Sequence, residues 1–350
     1  MSLAALLASR ARVVADYDGA STPLRFGDAR AEWQALETGA ALLDTGWRST
    51  LVATGSERAE FLHGQLSQDV LALGPGQGAG ALLLTAQGHV VAILEIYVVD
   101  DEAVHLVVEA ARLARTRERL EQFLIADDVE LEPARPTDRF AVLGPRAYHA
   151  LAEAGLDGVL STGRGAGDRP AFFVGRTIID GGEVLAYSRG DLRVPFVEIV
   201  AAGGQALWER LEAAGATPVG TEAFEIVRVE SGRPRYGVDV DDERVALEAR
   251  LEWAIHFRKG CYVGQEIIER VVSRGRTKRV LSLLGFERAI TPSKAITSAV
   301  VSPTLGPIGF AYLDRDAAAD GASVDVEADG HSVAARVLEW PRETVMAGRR

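Results

Sequence analysis

The 350-residue chain has a single cysteine, Cys261, so no internal disulfide can staple it. One thiolate also cannot hold an iron–sulphur cluster alone, since such clusters ordinarily take four. The six histidines stand at 63, 89, 105, 149, 256 and 331 without the spacing of zinc ligands, so no metal site is expected. Positive charge is in deficit. The formal net charge is −12, which argues against a dedicated nucleic-acid binder, whose domain is normally basic. No run approaches the roughly 20 apolar residues of a membrane span. Residues 1–14 lack the leading basic region and cleavage site of a signal peptide. A soluble, cytoplasmic chain with no membrane partner is expected. No P-loop and no nucleophile elbow occurs. Gly163-Arg164-Gly165-Ala166-Gly167 begins like a dinucleotide fingerprint, but Asp168 or Pro170 stands where its third glycine belongs.

What is present is an ordinary globular balance, 47% hydrophobic and 25% charged, long enough for two or three domains. Ser49–Thr54, Ala81–Thr85, Val90–Val99 and Val104–Val108 read as strands, the middle two as a hairpin around Gln87-Gly88. A helix from an N-cap at Ser56 to Leu66 and another over Ala111–Ile125 accompany them. Pro133–Asp138 reads as a linker. A second set follows: strands at Phe140–Leu143, Phe172–Asp180, Glu183–Ser188 and Pro195–Val200, with helices ending at Gly155, Gly215 and Gly232. From Lys278 onward, short strands separated by turns predict a small β-barrel or sandwich. The reading is α+β with domains at 1–135, 136–275 and 276–350.

The sole cysteine lies in Lys259-Gly260-Cys261-Tyr262-Val263-Gly264-Gln265-Glu266. Gly260 and Gly264 allow a tight turn and close approach of a ligand. Lys259 and Arg258 favour the thiolate of Cys261, the reactive form of that side chain. His256, five residues earlier, could pair with it. Arg274-Gly275-Arg276-Thr277-Lys278-Arg279 is the strongest local positive charge, suited to an anionic tail, an acidic partner or RNA phosphate.

The octapeptide resembles the signature of the YgfZ family, folate-binding proteins linked to iron–sulphur proteins and related to the glycine-cleavage T-protein, an aminomethyltransferase. Arg228-Val229-Glu230-Ser231-Gly232-Arg233-Pro234 is similar to the segment that precedes the signature in that family. Glu248 fits its upstream carboxylate, although Ala246 stands where proline is common. Phe61–Val70 fits an N-terminal piece. The resemblance spans about residues 30–315 and implies a three-domain ring of the T-protein type, two mixed α+β domains and a C-terminal small β-barrel, closed around a folate site.

The same resemblance names a site. Cys261 is its candidate reactive thiol, with Lys259 beside it, on a motif loop formed with Gly260, Tyr262, Gly264, Gln265 and Glu266. Glu198, in Pro195-Phe196-Val197-Glu198-Ile199, matches the folate-binding glutamate, whose carboxylate would meet the donor edge of the pterin. Tyr262 and Trp253 are candidate stacking faces, and Arg228 and Glu230 complete the folate set. One departure bears on activity. The T-protein pattern calls for paired aspartates at positions occupied here by Ala92 and Ile93, which can neither accept a proton nor orient an amine. The expectation is therefore a tetrahydrofolate-binding accessory protein for iron–sulphur cluster assembly or repair, with tetrahydrofolate or a one-carbon derivative as cofactor. Its partners would be iron–sulphur proteins or their assembly factors, and more weakly transfer RNA. The alternatives are a folate-dependent aminomethyltransferase and a non-catalytic scaffold.

Overall fold

The computed structural model describes residues 2–160, 171–275 and 277–341. Its architecture is α+β, built on three large sheets and a first hairpin, Val13–Tyr17 with Ala20–Arg25, that stands as a two-stranded sheet of its own. The first is antiparallel, in the order Gly78–Leu84, Val90–Val98, Val104–Glu109, Arg48–Thr54, Glu130–Pro133. The helices Arg58–Gln65 and Leu113–Glu121 cover one face through Phe61, Leu62 and Leu120, against Ala92, Leu94 and Ile96. The other face is buried too, through Leu82, Val90, Tyr97 and Val107. Burial on both sides explains why these strands read as continuous apolar runs rather than alternating ones.

The second sheet runs Phe173–Ile179, Gly182–Arg189, Phe196–Ala201, Asp138–Leu143, Ala41–Asp44, Thr217–Val219. Only its last pair is parallel. Its outer face packs on the helices Leu3–Arg10, Ala147–Glu153 and Gly204–Ala213, with Leu7, Leu151 and Trp208 fully buried. The N-terminal 44 residues thus serve the second sheet, not the first. That differs from a division at residue 135, because Ala41–Asp44 finds its partners at Asp138–Leu143 and Thr217–Val219, far along the chain.

The third sheet is antiparallel, ordered Ile296–Ser302, Gly306–Asp314, Arg279–Phe286, His331–Leu338, Ser323–Ala328. Its first and last strands touch, so it curls on itself. It docks on the helix Thr221–Glu230, where Val229 meets Leu281, Ile308 and Phe310. The half fingerprint at 163–167 lies outside the described residues. Among the described residues, no helix is long and apolar enough to cross a membrane.

Residues 232–264 form few regular elements and thread among all three sheets. Arg244 O accepts from Val90 N, Asp239 O from Tyr312 Oη, and Glu248 O from Leu281 N. Tyr97 Oη donates to Ser188 O, joining the first sheet to the second.

Candidate functional site

A cavity opens at this junction. It holds about 540 Å³ of empty space, part of it continuous with solvent, but side chains crowd it so that water centres fit in only about 40 Å³. Tyr17, Trp47, Phe224 and Trp253 supply aromatic walls. Trp47 meets Tyr17 edge-on at 5.1 Å between ring centres. Arg48, Arg189, Arg228, Arg233 and Arg235 supply positive charge, and Glu95, Glu109 and Asp191 negative charge. Arg235 lies over the Tyr17 ring at 4.2 Å and Arg233 over Trp253 at 4.9 Å. These are cation–π contacts on the faces that a flat ligand would stack on.

The strand Val90–Val98 sets much of this wall. Alternation sends Ala92, Leu94 and Ile96 to the helix-covered core and Ile93, Glu95 and Tyr97 toward the cavity side. Of the two positions where the resemblance asks for aspartate, Ala92 faces away from the cavity and Ile93 faces into it. Glu95 is the next residue on the cavity face. It is held by Arg48 and by Arg189, the latter at 3.1 Å. On the neighbouring strand Glu109 lines the same cavity. Its Oε2 is buried with no hydrogen-bond partner among the described residues. Burial, reinforced by Asp18, pushes its carboxyl up to about 7. Three further buried donors on cavity residues also have no such partner: Trp47 Nε1, Arg235 Nε and Trp253 Nε1. Buried polar atoms are rarely left unpaired in a folded protein. Four around one cavity mark a place where polar groups from outside the chain belong.

The expected site residues separate into distinct places. Trp253 lines the cavity, stacked on Phe172 with rings 5° from parallel. Arg228 lines it too, but its five N–H groups are spent within the protein. They reach Glu225 at 2.8 and 2.7 Å, Asp239 at 2.8 Å, Ser298 Oγ at 2.7 Å and Arg233 O at 2.6 Å. Glu198 is fully buried and held by Arg139 (3.3 and 2.9 Å) and by Arg48 at 3.3 Å. Burial alone would raise its pKa, but Arg139 and Arg48 overcome that and hold it at about 2. Its carboxylate is thus committed to arginines rather than offered to a donor edge. Glu230 accepts from Ser302 and Thr304 of the third sheet and pairs with Arg193.

The octapeptide lies elsewhere. Cys261 is exposed and is not among the cavity-lining residues. Lys259 Nζ donates to the carbonyls of His63, Leu66 (2.8 Å) and Gln68 (3.0 Å). It therefore satisfies the His63 carbonyl in the last turn of the helix Arg58–Gln65 and two carbonyls of the chain that leaves it. Burial lowers its pKa to about 8. Tyr262 is buried in the core shared with Trp253. Gly260 precedes the thiol in the turn, and Gly264 adopts φ +88°, where a Cβ would fall 2.6 Å from Thr85 O. Gln265 and Glu266 open the helix Gln265–Arg274, and Glu266 pairs with Arg270. The basic run falls partly outside the described residues, at Arg276.

Sequence reasoning passed over Arg48, Glu95, Glu109 and Arg189. The available signal was a single carboxylate inside each of two apolar strands, Val90–Val98 and Val104–Glu109. A charge there has to be paired or put to use.

Comparison with known proteins agrees with this architecture. Residues 197–259 match the GCVT N-terminal domain family, and residues 295–342 the glycine cleavage T-protein C-terminal barrel domain. An aminomethyltransferase of Prosthecochloris aestuarii is 30% identical over 357 residues, covering 95% of this chain and 96% of the relative. One from Rubrobacter xylanophilus is 29% identical, covering 87% and 83%. The crystal structure of glycine cleavage system aminomethyltransferase T from Bartonella henselae superposes with a TM-score of 0.83 at 21% identity, over 96% of each chain. The chain belongs to the glycine-cleavage T-protein superfamily. These relatives correct the expectation of an accessory protein for iron–sulphur assembly: several that span most of the chain are named aminomethyltransferase, which favours the transferase alternative.

Proposed function

We propose that this protein is a folate-dependent aminomethyl or one-carbon transferase, with tetrahydrofolate seated in the central cavity. One observation carries the reading. A cavity walled by Trp47 and Trp253, ringed with arginines, holds four buried polar atoms without partners among the described residues. A reduced pterin offers a flat ring for the aromatic faces and hydrogen-bonding atoms for the orphaned groups. Its glutamate tail suits guanidinium partners. The residues present fit the ligand in chemistry, and the narrow space requires a side chain to yield. Arg235, half-buried over Tyr17, is placed to swing aside. Relatives named aminomethyltransferase supply the reaction class. Within the superfamily, the octapeptide supports a branch near the YgfZ proteins.

The test uses the full-length protein. Calorimetric titration with tetrahydrofolate should show binding. The protein should also consume methylenetetrahydrofolate when supplied with ammonium and dithiothreitol, the reverse of aminomethyl transfer from a thiol. Absence of binding at millimolar tetrahydrofolate overturns the reading.

A further inference from the structure

Ile93 leaves position 93 of the strand Val90–Val98 without a carboxylate, and the strand's cavity-facing carboxylate, Glu95, is held by Arg48 and Arg189. The adjacent strand supplies one. The ladder between the two strands ends at the pair Glu95 and Val107, and Ile93 and Glu109 each lie two residues beyond it, on the side where the strands open onto the cavity. Both side chains line the cavity. A carboxylate at 109 therefore enters the same cavity that one at 93 would face. We propose that Glu109 is the catalytic base of this protein, taking the proton from the acceptor nitrogen as an aminomethyl group is transferred to it. The proposal rests on the transferase reading above.

The step balances without an oxidant. The lone pair of the acceptor N–H forms the new C–N bond to the aminomethyl carbon. The bond from that carbon to its former carrier breaks, with the electron pair going to the carrier. The N–H proton passes to Glu109 Oε2, and the carboxyl returns it to the departing carrier, regenerating the carboxylate. The second folate nitrogen then displaces ammonia from the aminomethyl carbon, its own N–H proton leaving with the ammonia, to give the methylenetetrahydrofolate that the assay follows in reverse. Oε2 is the free oxygen required, buried and unpaired among the described residues. The charged groups facing Glu109 are Asp18 from the turn of the first hairpin, Arg48 on the adjacent strand and Glu95 in the same sheet. Its carboxyl, raised to about 7, ionises in the range where a general base works best. Asp18 Oδ2 is buried without a hydrogen-bond partner among the described residues, so the two carboxylates share a site that favours holding a proton.

The experiment measures turnover of methylenetetrahydrofolate with ammonium and dithiothreitol from pH 6 to 8.5. It compares wild type, Glu109→Gln, and Glu109→Gln combined with Ile93→Asp, with thermal unfolding confirming that each folds. General-base loss predicts a fall in kcat of roughly 100-fold or more in Glu109→Gln, with little change in KM. The limb near pH 7 should vanish. The double variant, with the carboxylate moved across the strand pair, should regain at least about tenfold of the lost rate. An active wild type with an equally active Glu109→Gln, retaining the same pH limb, overturns this inference alone. An inactive wild type overturns the transferase reading and this inference with it.

Discussion

At the scale of single residues, this protein keeps some carboxylates silent and one poised. Glu198 is locked between Arg139 and Arg48, and its depressed pKa ties it to structure. Glu109 is the opposite case. Its folded pKa, about 7, lies above its ordinary value of 4.5. As pH rises from 4.5 to 7, the unfolded chain releases this proton before the folded chain does, so stability is lost across that window. Glu109→Gln removes the penalty. The variant should be more stable than wild type by about 3 kcal/mol at pH 8, with the gap closing below pH 4.5. Denaturant melts at pH 4 and pH 8 check this, and an equal gap at both would show that Glu109 ionises normally.

At the scale of elements, much was legible and the exceptions have physical causes. The hairpin Gly78–Leu84 with Val90–Val98 and the strands of the third sheet follow from apolar runs bounded by turns. The expected N-cap Ser56 instead hydrogen-bonds Asp128, and the helix begins at Arg58. The helix Gln265–Arg274 was hidden because the octapeptide and the basic run dominate its sequence. Ile268 and Val271 give it an apolar stripe at helical spacing. Of the expected site, Trp253 and Arg228 reach the cavity, whereas the octapeptide binds Lys259 to a helix end. Composition could not reveal Gly80. A Cβ there would fall 2.1 Å from Trp253 Cζ3, so the strand Gly78–Leu84 needs glycine to let the indole into the cavity wall. Gly80→Ala should cost about 1–3 kcal/mol by overpacking and weaken tetrahydrofolate binding through displacement of Trp253. Thermal unfolding and calorimetry decide it; an unchanged midpoint with wild-type affinity would show that the indole adapts freely.

At the scale of the whole molecule, three sheets are tied together by one irregular segment, residues 232–264. That arrangement was the least legible in the sequence, since it depends on pairings between distant residues such as Ala41–Asp44 with Thr217–Val219. The same segment carries Arg233, Arg235 and Trp253 into the cavity, so the stretch that joins the sheets also supplies part of the site. The most direct test is a crystal structure of the full chain with tetrahydrofolate bound. The pterin ring should lie against Trp47 or Trp253, with Glu109 facing the reacting nitrogen and Arg235 moved off Tyr17. Ligand found instead at the exposed Cys261 turn, with the cavity side chains unmoved, would contradict the account.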